Sequence, residues 1–343
     1  MKSYGSKDKI SNERICNLDV MKLICSLFVV CIHAPFPGIW GGYITAITRT
    51  GVPVFFMITG YFFKCTCSKL YGERIQLTKI LKLFLVANVF YAVFNFMIKI
   101  PNHGVSGAIQ YIVECLTCKK LIAFLCFNES PFSGHLWYLG ALLYVLLIIA
   151  ILRKVKLLDK ALFVIPVLLI VDLVFGKYSL LIWGKEFDYI YVRNFLFVGL
   201  PYFLIGYTLN KKSNWIKERI SPRLSAVLTC TFVVTTILER FLLEINGINA
   251  TRDHYISTTF LSCALFIMCL VMKDVGKNNW LAVQGRQNST MVYILHPAFI
   301  TVLSVLIPTS LMNAYNLARP IIIFSLALTF AMIHSWLVDR IKK

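Results

Sequence analysis

Runs of apolar residues recur along this chain at lengths that match the thickness of a bilayer. Crossing about 30 Å of hydrocarbon takes roughly 20 apolar residues in a helix. Segments of this kind lie near 17–35, 50–64, 80–100, 136–152, 159–176, 193–210, 223–243, 255–272, 290–310 and 319–338. Of 343 residues, 58% are hydrophobic and 15% charged, whereas soluble domains carry about 25% charge. So much apolar side chain cannot be hidden in one soluble core of this size. The pattern predicts an all-α polytopic membrane protein of about ten transmembrane helices. No linker or low-complexity stretch divides it, so one domain is expected over 1–343, with 1–15 as a tail.

Two stretches depart from the simple pattern. The second segment is short and carries Gly51, Pro53 and Gly60, which suits a kinked or partly re-entrant helix buried by its neighbours. Residues 105–127 are apolar but broken by Glu114, Lys119 and Lys120, and read better as an interfacial helix.

The charges give the chain a direction. With the N-tail inside, the inner segments hold 24 Lys and Arg, the outer segments hold 10, and Lys22 lies within the first span. This asymmetry follows the positive-inside rule and places both termini in the cytoplasm. It also accounts for the net charge of +19 without nucleic acid. The first apolar run contains Asp19 and Lys22 and is followed by no small-residue cleavage site, so it reads as a retained segment. Most of the eleven cysteines sit in apolar runs as small hydrophobes. A Cys115–Cys118 or Cys115–Cys126 disulfide is open if that loop is external. No second CxxC and no spaced His pair accompanies them, so no metal site is expected.

Ionisable residues inside spans are costly and mark functional sites by default. Lys22 and His33 share the first span eleven residues apart, about three turns and roughly 16 Å, and hence lie on one face. That face offers a cation near the inner surface and an imidazole near the outer. The plain alternatives are a snorkelling lysine and an interfacial histidine. Gly51–Phe63 has small residues at both ends, which also suits close helix packing. His135-Leu-Trp137-Tyr-Leu139 opens the fourth span, where Trp and Tyr are also ordinary aromatic-belt residues. Arg49, Arg193-Asn194, Glu239 and Asp253-His254 fall at the same outer level as His33 and His135. They form either a polar cavity or a solvated rim. Ser289, Tyr293 and His296 recur at helical spacing before Pro297 and either line a polar core or bond neighbouring helices. No Walker loop, dinucleotide fingerprint, GxSxG elbow or HExxH site occurs.

Taken together, these motifs resemble the acyltransferase-3 family of bacterial integral membrane proteins. Lys22 followed by His33 after ten residues resembles its Arg-x10-His signature. Gly51–Phe63 is similar to its VPxFFMxSGY segment, His135-Leu-Trp-Tyr to its HLWY/F element and Phe203-Leu-Ile-Gly-Tyr207 to its FxxGY element. Gly285–Pro297 is similar to its GxxSLxxYLLHP segment. The elements come in family order. Two departures stand out: Lys22 in place of arginine, a point charge instead of a bidentate fork, and Thr59 in place of serine.

The resemblance implies an enzyme of the bacterial cell membrane, an acyltransferase for groups other than amino-acyl groups. Its donor would be acyl-CoA, most simply acetyl-CoA, and its acceptor a hydroxyl compound such as an envelope carbohydrate. His33 would be the general base, with Glu239 or Asp253 orienting its ring. Lys22, Arg74 and Lys79 would meet the donor phosphates. Arg49, His135, Trp137, Arg193, His254, Tyr293 and His296 would line the acceptor side. Membrane lipid is an expected partner, nucleic acid is not, and an oligomer is open. The chain also resembles the membrane domain of vancomycin-resistance serine racemases around Arg193–Pro201, Glu239 and His254-Tyr255. That resemblance implies an alternative, L-serine transport, with Arg193 on the carboxylate and Glu239 or Asp253 on the amine. A non-catalytic scaffold is a third reading. The two halves of the chain show no repeat of the kind many transporters carry.

Overall fold

A computed structural model describes residues 14–63, 70–248 and 254–341, with no strand among them. In chain order the helices are α1 (Cys16–His33), α2 (Gly38–Thr48), α3 (Gly51–Tyr61), α4 (Leu70–Cys115), α5 (Cys118–Phe127), α6 (Trp137–Lys154), α7 (Ile165–Phe175) and α8 (Ser179–Trp183). They continue with α9 (Leu200–Lys211), α10 (Ser213–Arg219), α11 (Pro222–Ile245), α12 (Ile256–Val271), α13 (Trp280–Gln287), α14 (Ser289–Leu306) and α15 (Met312–Ile341). Each of the ten apolar segments falls on a helix, and the chain is an all-α polytopic membrane protein. Six stretches are long and apolar enough to cross a bilayer on length and composition: α1, α4 from Arg74, 134–154, α11, α14 and 309–341. In α11 only 17% of the most apolar window is buried, and in α4 22%. Val86, Val89, Val93 and Met97 of α4 and Val227, Val234 and Leu238 of α11 face outward. Exposed apolar bands of this extent suit lipid, not water.

α3 and α9 pack backbone to backbone. A Cβ on Gly60 would lie 2.0 Å from the Phe203 carbonyl oxygen, and one on Gly206 would lie 2.0 Å from the Met57 carbonyl oxygen. The glycines of the VPVFFMITGY and FLIGY stretches therefore face each other's backbones, and close packing accounts for both. α3 is one unbroken helix of 11 residues, about 16 Å long and short of a full crossing. Pro53 costs it little, because its first turn needs no N–H bond. Gly60→Ala and Gly206→Ala are each expected to destabilise the bundle by about 1–3 kcal/mol, as overpacking does. Thermal unfolding in detergent reads this; wild-type midpoints would contradict it.

α4 breaks at Gly104, whose φ of 65° and ψ of 177° lie outside the helical region, three residues after Pro101. Residues beyond the break fold back on the helix: Asn95 donates to the Tyr111 hydroxyl at 3.3 Å, and Phe124 of α5 stacks on Phe84 at 5.6 Å. Cys115, Cys118 and Cys126 are free thiols. Before α9 a π-helical turn, Phe195–Gly199, opens the coil. Pro201 follows it and offers no N–H to the preceding turn. The Asn194 side chain accepts from Leu196 and Phe197 N–H at 2.9 and 3.2 Å, and Asn128 accepts from Phe195 N–H at 3.0 Å.

α13 packs on the first half of α1. A Cβ on Gly285 would lie 1.8 Å from the Asp19 carbonyl oxygen. This contact marks one end of the bundle, the Lys22 end. The opposite end holds the C-terminus of α1 at His33.

Candidate functional site

Three histidines from distant parts of the chain meet at the His33 end of the bundle. The His33 ring lies 5.1 Å from that of His296 and 6.4 Å from that of His135, and the latter two are 5.3 Å apart, centre to centre. Tyr91 packs edge-on to His135 at 5.0 Å, and Tyr293 lies 5.4 Å from it. His33 is exposed, whereas His135 and His296 are buried.

Local backbone chemistry sets the His296 ring. In a continuous helix the N–H of residue 297 would bond the carbonyl of Tyr293, but proline has none. The Tyr293 carbonyl instead receives the Nδ1 of His296 at 2.7 Å. A carbonyl only accepts, so Nδ1 carries the proton and Nε2 of the neutral ring is left bare. That Nε2 is buried with no hydrogen-bond partner among the described residues, and so is His135 Nε2. The Tyr91 hydroxyl donates to the Ile294 carbonyl at 2.6 Å, tying α4 to α14. The Tyr293 hydroxyl donates to the His135 carbonyl, and His135 Nδ1 meets the Ser133 hydroxyl at 2.8 Å.

Two cavities lie nearby, and neither is lined by His33, His135 or His296. One, of about 280 Å³, lies between α4, α14 and α15 at the Lys22 end; Leu83, Gln287, His334 and Asp339 line it, and Ile294 is among its walls. The other, of about 310 Å³, lies at the His33 end and is lined by Tyr111, Lys120, Glu129, Ser130 and Ser133. Ser133 thus joins the second cavity to His135, and Ile294 joins the first to Tyr91. Beside the second cavity, Arg193 approaches Glu129 at 3.7 Å and covers the rings of Tyr189 at 4.2 Å and Trp137 at 5.4 Å. Burial pushes the Glu129 carboxyl up, the Arg193 guanidinium pulls it back, and Asp188 adds to the rise.

Other candidates occupy different settings. Glu239 accepts from Ile256 and Ser257 N–H at 2.9 and 2.8 Å and from the Tyr178 hydroxyl. Its carboxylate holds the first turn of α12, where free N–H groups and the helix dipole favour negative charge. The Tyr178 hydroxyl is pushed up by its burial and by Glu239. His254 Nδ1 lies 2.8 Å from Asp172 Oδ2, both side chains buried, with the Tyr202 ring 5.7 Å away. Buried Lys177 covers the Tyr255 ring at 4.1 Å. Asp253 lies outside the described residues. Arg49 closes α2 and is partly buried. Thr59 bonds the Phe55 carbonyl of its own helix at 3.0 Å. Lys22 pairs with Asp19 at 2.9 Å, and Asp19 also takes Arg14 at 2.9 Å. Arg74 and Lys79 stand exposed on α4. No group of three His, Cys, Asp or Glu among the described residues is arranged to hold a metal ion.

The structure therefore brings His33, His135, Tyr293 and His296 together, with Trp137 and Arg193 beside them. Glu239 and His254 serve a second polar cluster. The sequence reading missed Asp172, although a lone acid inside the apolar run Ile165–Phe175 is a signal that could have found it. Tyr91, Ser133 and Glu129 carry no comparable signal. A family model described as an acyltransferase domain matches residues 16–340. No curated protein and no solved structure matches the chain.

Proposed function

The chain belongs to the acyltransferase-3 family, and from that premise we propose that it moves an acetyl group from cytosolic acetyl-CoA to a hydroxyl of an envelope carbohydrate. The observation that carries this reading is the meeting of the His33, His135 and His296 rings at one end of the bundle, joined through Ser133 to a polar cavity. The Lys22 end is the inner one, on the strength of its basic loops. There the donor phosphates meet Arg74, Lys79 and Lys22, and the thioester reaches toward the rings. On the far side Tyr111, Glu129, Ser130 and Ser133 offer the mixture of hydroxyl, carboxyl and ring surface that suits a sugar. His33 takes the proton of the attacking hydroxyl as general base. The acceptor oxygen bonds the acyl carbon and the C–S bond breaks.

Radiolabelled acetyl-CoA and radiolabelled L-serine, offered separately to membrane vesicles, test this. Label from acetyl-CoA is expected in membrane carbohydrate, with no serine accumulation. Serine uptake without acyl transfer to any acceptor would favour the transporter reading. Lys22→Ala is expected to raise KM for the donor about tenfold and leave that for the acceptor within twofold, a loss of about 1.4 kcal/mol. Lys22→Arg should retain donor affinity. Equal KM values in all three proteins would remove Lys22 from donor binding.

A further inference from the structure

Ester formation takes a proton from the acceptor oxygen and returns one to the departing thiolate sulfur. On the acyl-transfer reading, from which this inference proceeds, those two atoms approach the three histidines from opposite sides. His33 stands at the exposed end of α1, away from the Lys22-end cavity. His296 is buried two residues along α14 from Ile294, which lines that cavity. Its ring touches both His33 and His135. Its Nδ1 proton is committed to the carbonyl that Pro297 leaves open, and its buried Nε2 has no partner among the described residues. A bare, buried nitrogen is costly unless it has work to do.

We propose that His296 carries the reaction proton, receiving it at Nε2 from His33 and delivering it from Nε2 to the thiolate, with Pro297 as the positioning residue that keeps Nδ1 out of the exchange. The acceptor O–H breaks as the O–C bond forms, the C–S bond breaks as the S–H bond forms, and His33 and His296 each end as they began. The proton therefore passes from oxygen to sulfur, opposite in sense to the acyl group, through the one nitrogen at which His33 and the sulfur meet.

Two measurements test this on the full chain in nanodiscs. In ¹⁵N spectra of histidine-labelled protein at neutral pH, with His296 assigned from the His296→Gln difference, one tautomer is expected, Nδ1 protonated and Nε2 bare. Pro297→Ala restores an N–H for the Tyr293 carbonyl and should yield a tautomer mixture. In turnover assays, His296→Gln is expected to lower kcat about 100-fold or more with an alkyl thioester such as S-acetyl-N-acetylcysteamine, with donor KM within twofold of wild type. With an aryl thioacetate, whose thiolate leaves without a proton, the variant should come within about threefold of wild type. A purely structural role would depress both donors alike, and that result overturns the inference, as does full activity of His296→Gln. A protonated Nε2 in the wild-type spectrum also overturns it. Absence of wild-type turnover with every donor overturns the acyl-transfer reading itself, whatever the tautomer.

Discussion

Replacing His33 with alanine is expected to abolish acyl transfer while leaving the protein folded and inserted. Its side chain is exposed at the end of α1, so truncation removes little buried surface. The same ring is the member of the cluster most open to an acceptor. General-base catalysis contributes about 10²–10⁴ in rate, and the loss should fall in or beyond that range. His33→Gln keeps a hydrogen-bonding side chain but cannot take a proton, so it should be as inactive as alanine. A binding role alone would let glutamine retain much of the activity. Transfer rates of the three proteins at matched expression, with detergent-extracted size profiles as the folding control, decide the matter. Glutamine at more than a tenth of wild type would remove His33 as the base.

Asp172→Ala is expected to be the most damaging change away from the three histidines. Asp172 and His254 are both buried and bonded at 2.8 Å, in a bundle interior where water cannot replace a lost partner. Removing one member of such a pair costs about 3 kcal/mol. Replacing both members with apolar residues of similar size is far cheaper. The double variant Asp172→Leu, His254→Phe should therefore recover most of the unfolding midpoint that the alanine variant loses, and Asp172→Asn should fall between alanine and wild type. A wild-type midpoint for Asp172→Ala would show that the pair does not hold α7 to the start of α12.

Hydropathy and the charge pattern made the helices legible, because a bilayer punishes a broken or polar span at every residue. The ten expected segments coincide with helices, although four stretches, those of α3, α7, α9 and α12, are shorter than a full crossing. Gly60 was readable as a packing residue, but its meeting with α9, where Gly206 returns the contact, was not, since nothing along the chain says which small residues meet. The same limit hid the site. Lys22 and His33 share a helix and so share a face by periodicity alone, whereas His135 and His296 reach His33 only through packing. Glu239 stood out as an acid at the outer level, but its use depends on Ile256 and Ser257, 17 and 18 residues further on. The bond from His296 Nδ1 to the Tyr293 carbonyl, which Pro297 leaves without an N–H, was likewise seen only in the structure.

On the proposed reading, acyl groups pass the three histidines from the Lys22 end to the His33 end. Proteoliposomes of known orientation test it most directly, with radiolabelled acetyl-CoA supplied on the side of the N-terminus and acceptor carbohydrate sealed on the other. Label is expected on the sealed acceptor in wild type, none in His33→Gln, and none when the orientation is reversed. Label appearing on acceptor placed with the donor, at the wild-type rate and without any on the sealed side, would contradict it.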